Sequence, residues 1–434
     1  MLPTFDTSTP AVLVRLDRNP FHHGTLGAVR SLGRAGVEVH AVTGAAAGPV
    51  ARSRHLARAH VAPPGTADLD GVQRLLRTVS ERVGRPAVLV PLDDVTAIAA
   101  DALRTALAGR YLLPEQPSGL AGRVADKAEL VAVCAELGVP HPRTAVPCTP
   151  AEAAAAAWSL GLPAVAKWSR PWLLPQGSGL RSTRLLRSAR EARDLQARAA
   201  DAGSRLLVQE FLPPGRGLDW FFHGYAGRGP ACFPGATGRK ERSWPADAGL
   251  TAVGRWLPNP AVDSAARRVV AALGYRGILD LDFRLDPGTG AYHLLDFNPR
   301  PGAQFRLFTD GAGLDVVRAL HLDLTGRRVP PLAPAHGRSF VVENYALLSL
   351  AGSLAARTGR RTARAAGAPV ARGPAGGGTE AAWWAADDPG PAAAMAAAWT
   401  RHAVRRALPA RRRPPAAPLQ DTAARREQRP TTTA

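Results

Sequence analysis

The sequence predicts an α/β chain: a doubly wound parallel sheet first, then α+β units, then a low-complexity tail. Three observations predict it. Residues 11–16, 25–35 and 37–42 read in turn as buried strand, helix and strand, which is a βαβ unit. From about residue 206 to 330 the chain is richer in strands, and residues 277–300 alternate around a turn as a β-hairpin does. Beyond about residue 365 the composition narrows to Ala, Arg, Gly and Pro, as in Gly-Gly-Gly and Arg-Arg-Arg-Pro-Pro runs.

The first turn, between strand and helix, holds only Gly24 and Gly27. It lacks the GxGxxG dinucleotide fingerprint, so NAD is not expected. The next strand, Val88 to Leu92, runs into Asp93 and Asp94. Acids just past the carboxyl end of a strand suit a ligand crevice. They equally suit the N-cap of a following helix. A second unit starts near Pro117, with helices at 126–137 and 151–160. The strand Ala164 to Trp168 leads into a Pro/Gly/Ser loop, Arg170 to Leu180. The most apolar later run, Phe340 to Ala356, contains Glu343 and Asn344 and is too short to span a bilayer. It reads as a strand and helix packed on the core. An island at Ala381 to Met395, with two tryptophans, is expected to dock back on the body.

At 434 residues the chain is long enough for two or three domains, and 46% apolar residues support a sizeable core. Its net charge of +20 raises nucleic acid or an anionic membrane as partners. Yet residues 352–434 hold 14 Arg against 5 acids, so nearly half the excess sits in the tail. The rest is spread out without interleaved aromatics, which argues against nucleic-acid binding as the main function. Three cysteines, Cys134, Cys148 and Cys232, form no close pair. That fits a reducing cytoplasm rather than a disulfide framework or zinc cluster. The N-terminus shows no basic region followed by a long apolar stretch, so no signal peptide is expected.

Of 55 basic residues only three are lysine: Lys127, Lys167 and Lys240. A compact ammonium differs from a planar guanidinium fork and suits phosphate oxygens as a point charge. Lys167 ends a buried strand, where an ammonium is unfavourable unless it meets an anion. Lys127 follows Asp126 at a helix start. Lys240 follows what reads as a break between strand segments.

The hairpin carries the strongest constellation. In its first run Leu279, Leu281, Phe283 and Leu285 share one face, and Ile278, Asp280, Asp282 and Arg284 the other. In the second, Tyr292, Leu294, Asp296 and Asn298 oppose His293, Leu295 and Phe297. A turn centred near Thr289 places Asp282 opposite Asp296 and Asp280 opposite Asn298. Like charges facing across strands repel. A divalent cation relieves that, and oxygen ligands with room for phosphate suit Mg²⁺. A solvated polar face neutralised by Arg284 is the bland alternative.

These residues resemble the ATP-grasp superfamily over about residues 11–330, and most closely its carbamoyl-phosphate-synthase-like, carboxylate–amine ligase proteins of bacteria. Asp126-Lys127 with Gly138-Val139-Pro140-His141-Pro142 is similar to the first lysine segment, and Pro163 to Lys167 to the second. Gly177-Ser178-Gly179 resembles the loop that covers the phosphates. Val208 to Leu212 resembles the hinge that reads adenine, so Glu210, Phe211 and Leu212 join the nucleotide site, with Asp219 on the ribose. Asp282, Asp296 and Asn298 match the metal ligands, and Arg300 the arginine that meets phosphate or substrate. Asp296 stands where the family usually has Glu.

The resemblance implies a Rossmann-like domain over 1–116 and a two-lobed ATP-grasp fold. Its small lobe would cover 117–205 and its large lobe 206–330. A strand and helix at 331–364 and a largely disordered tail at 365–434 would follow. It also implies a cytoplasmic ligase using ATP and Mg²⁺ (or Mn²⁺) to join a carboxylate to an amine, with Arg300 and Lys240 catalytic. Its partners would be those small molecules and a second copy in a homodimer, with neither nucleic acid nor a transmembrane segment. The rival readings are an inactive ATP-binding accessory protein and an Arg-tailed scaffold for nucleic acid or membrane.

Overall fold

A computed structural model describes residues 3–17, 19–44, 48–63, 65–66, 68–175, 177–229, 232–245, 250–359 and 378–407. Its first elements are β1 (Ala11–Val14), α1 (His23–Gly33), β2 (Val39–Thr43), β3 (Arg58–Val61), α2 (Leu69–Val83), β4 (Ala87–Pro91), α3 (Asp94–Ala102) and β5 (Tyr111–Leu112). The five strands are all parallel, in the order β3-β2-β1-β4-β5. Every residue of β1 is buried, as expected where helices cover both faces.

Gly24 and Gly27 lie inside α1, not in the turn where the sequence reading put them. A Cβ on Gly24 would stand 2.8 Å from the Ala303 Cα, and one on Gly27 2.9 Å from the Arg306 side chain. The glycines let α1 press against residues 303–306.

Asp93 caps α3. Its Oδ1 accepts the Thr96 N–H at 2.8 Å, and its Oδ2 accepts the Leu16 and Asp17 N–H groups at 2.6 and 2.9 Å. The same carboxylate therefore starts a helix and ties down the end of β1. Asp93→Ala is expected to lower unfolding free energy by about 1–2 kcal/mol, read as a reduced urea midpoint.

Next come α4 (Leu120–Ala125), α5 (Lys127–Glu136), β6 (Thr144–Ala145), α6 (Pro150–Leu160), β7 (Ala164–Trp168), β8 (Thr183–Leu186), α7 (Ala189–Gln196), α8 (Ala199–Ala202) and β9 (Leu206–Glu210). Here the strands are antiparallel, in the order β6-β9-β7-β8. The alanine-rich α6 buries Ala153 and Ala157 against Ala164, Ala166 and Val208. Small side chains bring that helix close to the sheet.

The remaining elements are β10 (Asp219–Ala226), β11 (Cys232–Trp244), β12 (Leu250–Trp256), α9 (Pro260–Leu273), β13 (Gly277–Leu285), β14 (Tyr292–Asn298), α10 (Val316–Leu324), β15 (Ser339–Val341), α11 (Glu343–Gly359), β16 (Thr379–Ala381) and α12 (Gly390–Ala407). Their sheet runs β14-β13-β10-β11-β12-β15-β16. Leu279, Leu281 and Phe283 pack on Val262, Val269, Leu130 and Cys134 from α9 and α5. Lys240 sits within β11 rather than after a break; a register irregularity follows it, between Lys240 and Arg242.

The hairpin register is Asp280↔Asn298 and Asp282↔Asp296, as the sequence predicts. The turn alone does not produce it. Nearer the turn the pairs are Leu285↔Tyr292 and Phe283↔Leu294, one residue out of step, and a β-bulge between Asp282 and Phe283 makes up the difference. Without the bulge Asp282 would face Leu295. The same bulge corrects the expected face of Leu294, which points into the core beside Phe283 and Phe297. Bulges of this kind re-aim side chains next to functional sites.

Within 365–434, expected to be largely disordered, residues 378–407 form β16 and α12. The rest of that expectation lies outside the described residues. The docking of the tryptophan island has a physical cause. Asp388 is buried with Arg30 at 2.9 Å and accepts from Ser53 Oγ at 2.7 Å. Glu380 accepts from Arg306 Nε at 2.9 Å, and Trp383 is fully buried. Overall composition hides such specific partners. Among the described residues no helix is long and apolar enough to cross a membrane.

Candidate functional site

The site forms where β7, α5 and the β13–β14 hairpin meet. Asp126 organises it. Its Oδ1 accepts the Ala128 N–H at 2.9 Å and the Ser169 hydroxyl, and its Oδ2 pairs with Arg170 Nε at 2.7 Å. The Lys127 N–H donates to the Ser169 carbonyl at 3.0 Å. The start of α5 is thus stitched to the end of β7, which brings the first two lysines together. Burial opposes ionisation of Asp126, but the Ser169 and Arg170 bonds outweigh it and hold its carboxyl below the usual range.

Both lysines reach the hairpin. Lys127 Nζ lies 2.6 Å from Asp296 Oδ1, and Lys167 Nζ donates to the Leu295 carbonyl at 3.3 Å. Burial, then repulsion from Lys127, lowers Lys167 to about 8. Burial disfavours the Asp296 carboxylate, yet Lys127 and Lys167 keep it below the ordinary range. Asp282 moves the other way, up to about 7. Burial is the main cause and repulsion from Asp280 the next, with Lys240 partly offsetting them. The third lysine therefore acts on Asp282. Arg300 donates Nε to Asp94 at 2.9 Å and Nη2 to the Asn298 amide oxygen at 3.1 Å.

Among the described residues no group of three or more His, Cys, Asp or Glu side chains is arranged to hold a metal ion. The predicted set has two carboxylates, Asp282 and Asp296, with the Asn298 amide as third donor. These are hard oxygen donors, and the repulsion at Asp282 is only partly offset by Lys240. That chemistry fits Mg²⁺ if phosphate oxygens and water complete the shell.

Other predicted residues are already engaged. The Glu210 carboxylate accepts from the Arg143 N–H at 2.9 Å and from its Nε at 2.7 Å. Asp219 takes both arms of Arg284 at 2.6 and 3.0 Å, and Arg284 Nη1 donates to the Leu212 carbonyl at 3.0 Å. The hinge residues Phe211 and Leu212 thus sit next to Asp219. Gly177, Ser178 and Gly179 lie in the loop joining β7 to β8, with Gly177 and Gly179 at positive φ of 79° and 71°. The Ser178 carbonyl is held by Arg198 Nη2 at 2.8 Å.

One pairing and one residue escaped the sequence reading. Asp94, already marked as a crevice acid, meets Arg300 across 206 residues, a pairing with no local signal. His223 Nε2 lies 2.9 Å from Asp280 Oδ1 behind Asn298. Gly302 is obligatory there, since a Cβ would collide with both His223 and Asp280. Arg284 was visible, on the acid face of its strand.

A parallel sheet followed by an antiparallel and a mostly antiparallel sheet, with lysines and an acidic hairpin between them, defines the ATP-grasp fold, and the chain has that fold. The biotin carboxylase domain of 2-oxoglutarate carboxylase from Hydrogenobacter thermophilus, solved with MgADP, ADP and bicarbonate, superposes with TM-score 0.56 at 17% identity, over 77% of this chain and 72% of that one. Carboxyaminoimidazole ribonucleotide synthase from Aspergillus clavatus, solved with ATP, gives 0.56 at 14%, over 75% and 79%. L-amino acid ligase from Bacillus licheniformis gives 0.53 at 15%, over 74% and 75%. At these identities the likeness is one of fold. No protein-family model matches the chain, nor does any curated protein.

Proposed function

We propose that the protein is an ATP-dependent carboxylate–amine ligase. One observation carries this reading: in a chain with 55 basic residues only three are lysine, and two of them, Lys127 and Lys167, reach one acidic hairpin while the third, Lys240, pulls electrostatically on its Asp282. Structural neighbours solved with MgADP or ATP support nucleotide and metal as the occupants.

Lys127 and Lys167 hold α- and β-phosphate oxygens as point charges. Asp282, Asp296 and Asn298 would hold Mg²⁺, which supplies charge neutralisation for the β- and γ-phosphates. The Leu212 carbonyl and its neighbours border the adenine, and Asp219 the ribose. A substrate carboxylate oxygen attacks the γ-phosphorus and ADP leaves, forming an acyl-phosphate. The amine nitrogen then attacks the acyl carbon, phosphate departs, and the nitrogen loses a proton. Arg300 and Lys240 steady the charge that builds on the transferred group. Such catalysis is mostly positioning and electrostatics.

The substrates are an amino acid or peptide-like acid and an amine. ADP and phosphate release with ATP, Mg²⁺ and pooled carboxylates and amines is the expected result. ATP binding without turnover by any pool overturns the ligase reading.

A further inference from the structure

We infer that the cavity at the carboxyl ends of β1 and β2 holds an anionic group, carboxylate or phosphate, of the amine substrate, gripped by Arg15 and His22. The word amine rests on the ligase reading; the anion site does not.

The cavity is lined by Arg15, Asp17, Asn19, His22, Thr25 and Thr43, among others. It lies beyond the carboxyl ends of β1 and β2, and open α/β sheets take ligands outside the carboxyl ends of their strands. Arg15 is only 7% exposed. Its Nη1 donates to the Asn19 carbonyl at 2.8 Å, and its Nη2 lies 3.0 Å from Asp17, whose side chain is 59% exposed. A buried guanidinium whose counterion is washed by solvent is poorly compensated.

The neighbouring imidazole is set as a donor. His22 Nδ1 caps α1 by accepting the Thr25 N–H at 3.2 Å. The proton of the neutral ring therefore sits on Nε2. Burial, then repulsion from Arg15, His23 and Arg300, holds His22 well below its usual value. Burial also lowers Arg15; Asp17 and Asp93 favour its charged form, and Arg300 disfavours it. Asp93 is committed to its cap. The cavity is thus a field of positive charge that an anion would relieve.

Its position suits the amine. A Cβ on Gly24 would meet both the His22 ring at 3.0 Å and the Ala303 Cα at 2.8 Å. The turn carrying His22 therefore abuts the loop that begins at Arg300. An anionic group seated here keeps its amine beside the proposed acyl-phosphate. An uncharged amine would leave Arg15 with only the solvent-exposed Asp17 as its counterion, which disfavours it.

The test is saturation-transfer NMR on the full chain with ATP and Mg²⁺. The probes are mixed α-amino acids, phosphoethanolamine, and their neutral counterparts, amino-acid amides and ethanolamine. Acids, phosphoethanolamine or both are expected to bind and the neutral set not; the pattern separates carboxylate from phosphate. Arg15→Leu should weaken binding about 30-fold and His22→Asn, which keeps a capping acceptor, about 10-fold. Should Arg15→Leu not fold, Arg15→Gln and His22→Asn carry the comparison. ATP affinity should not move in any variant. Equal binding of neutral and anionic amines, variants that bind like wild type, or no binding to wild type overturns the proposal. Anion binding without ADP release would sink the ligase reading and leave the site.

Discussion

Replacing Asp296 with asparagine is expected to reduce ADP release by about 10³-fold or more while the fold survives. The estimate follows from loss of several kcal/mol of charge stabilisation at the transferred phosphoryl, at 1.36 kcal/mol per tenfold in rate. Asp296 has two charge partners in the proposed mechanism, Mg²⁺ and Lys127, the latter at 2.6 Å. Asparagine keeps the size and an oxygen but removes the charge that serves both. The Mg²⁺ requirement should rise in the same variant, while the circular dichroism spectrum and hairpin pairing remain. This substitution also separates an enzyme from an accessory nucleotide binder. If ADP release in Asp296→Asn equals that of wild type, the assignment of the metal site falls.

Lys167→Met is expected to weaken ATP binding about 100-fold, the upper end for a hydrogen bond to a charged group. The pH dependence distinguishes this role from a packing role. Burial and Lys127 lower Lys167 to about 8, so its ammonium is intact below that pH and is lost as pH rises through it. ATP affinity in wild type should therefore be level below about pH 8 and decline above it. Lys167→Arg stays charged throughout and should remove the bend, even where its bulkier head weakens binding overall. Calorimetric titration with a non-hydrolysable ATP analogue across that range reads both. A bend unchanged in Lys167→Arg assigns it to another group.

Much of the site was legible because its signals are local. The alternation around residues 277–300 placed the acids on one face, and the scarcity of lysine marked Lys127 and Lys167. Lys240 was the least supported of the three on sequence grounds. Its electrostatic pull on Asp282 comes from β11, two strands away in the sheet, which no local pattern reveals. Asp93 had two readings, ligand crevice and N-cap, and its hydrogen bonds to Leu16, Asp17 and Thr96 chose the cap. The tryptophan island docks as expected, but the contacts that hold it are hidden from composition, which averages over Asp388, Glu380 and Trp383, each of which has a buried partner.

Sequence by itself determined the fold class, the order of the segments, the three lysines and the acidic face of the hairpin. Those follow from periodicity and residue chemistry, which act over a few residues. Tertiary structure alone decided how they meet. The bulge beside Asp282 supplies the one residue that brings it opposite Asp296. Asp126 and Ser169 join α5 to β7, so that Lys127 and Lys167 share a site. Asp94 finds Arg300, and α1 carries His22 to the loop beyond it. Each of these is a contact between segments far apart in the chain or a one-residue shift in register. Neither leaves a mark in local composition, because only packing of the whole chain selects it.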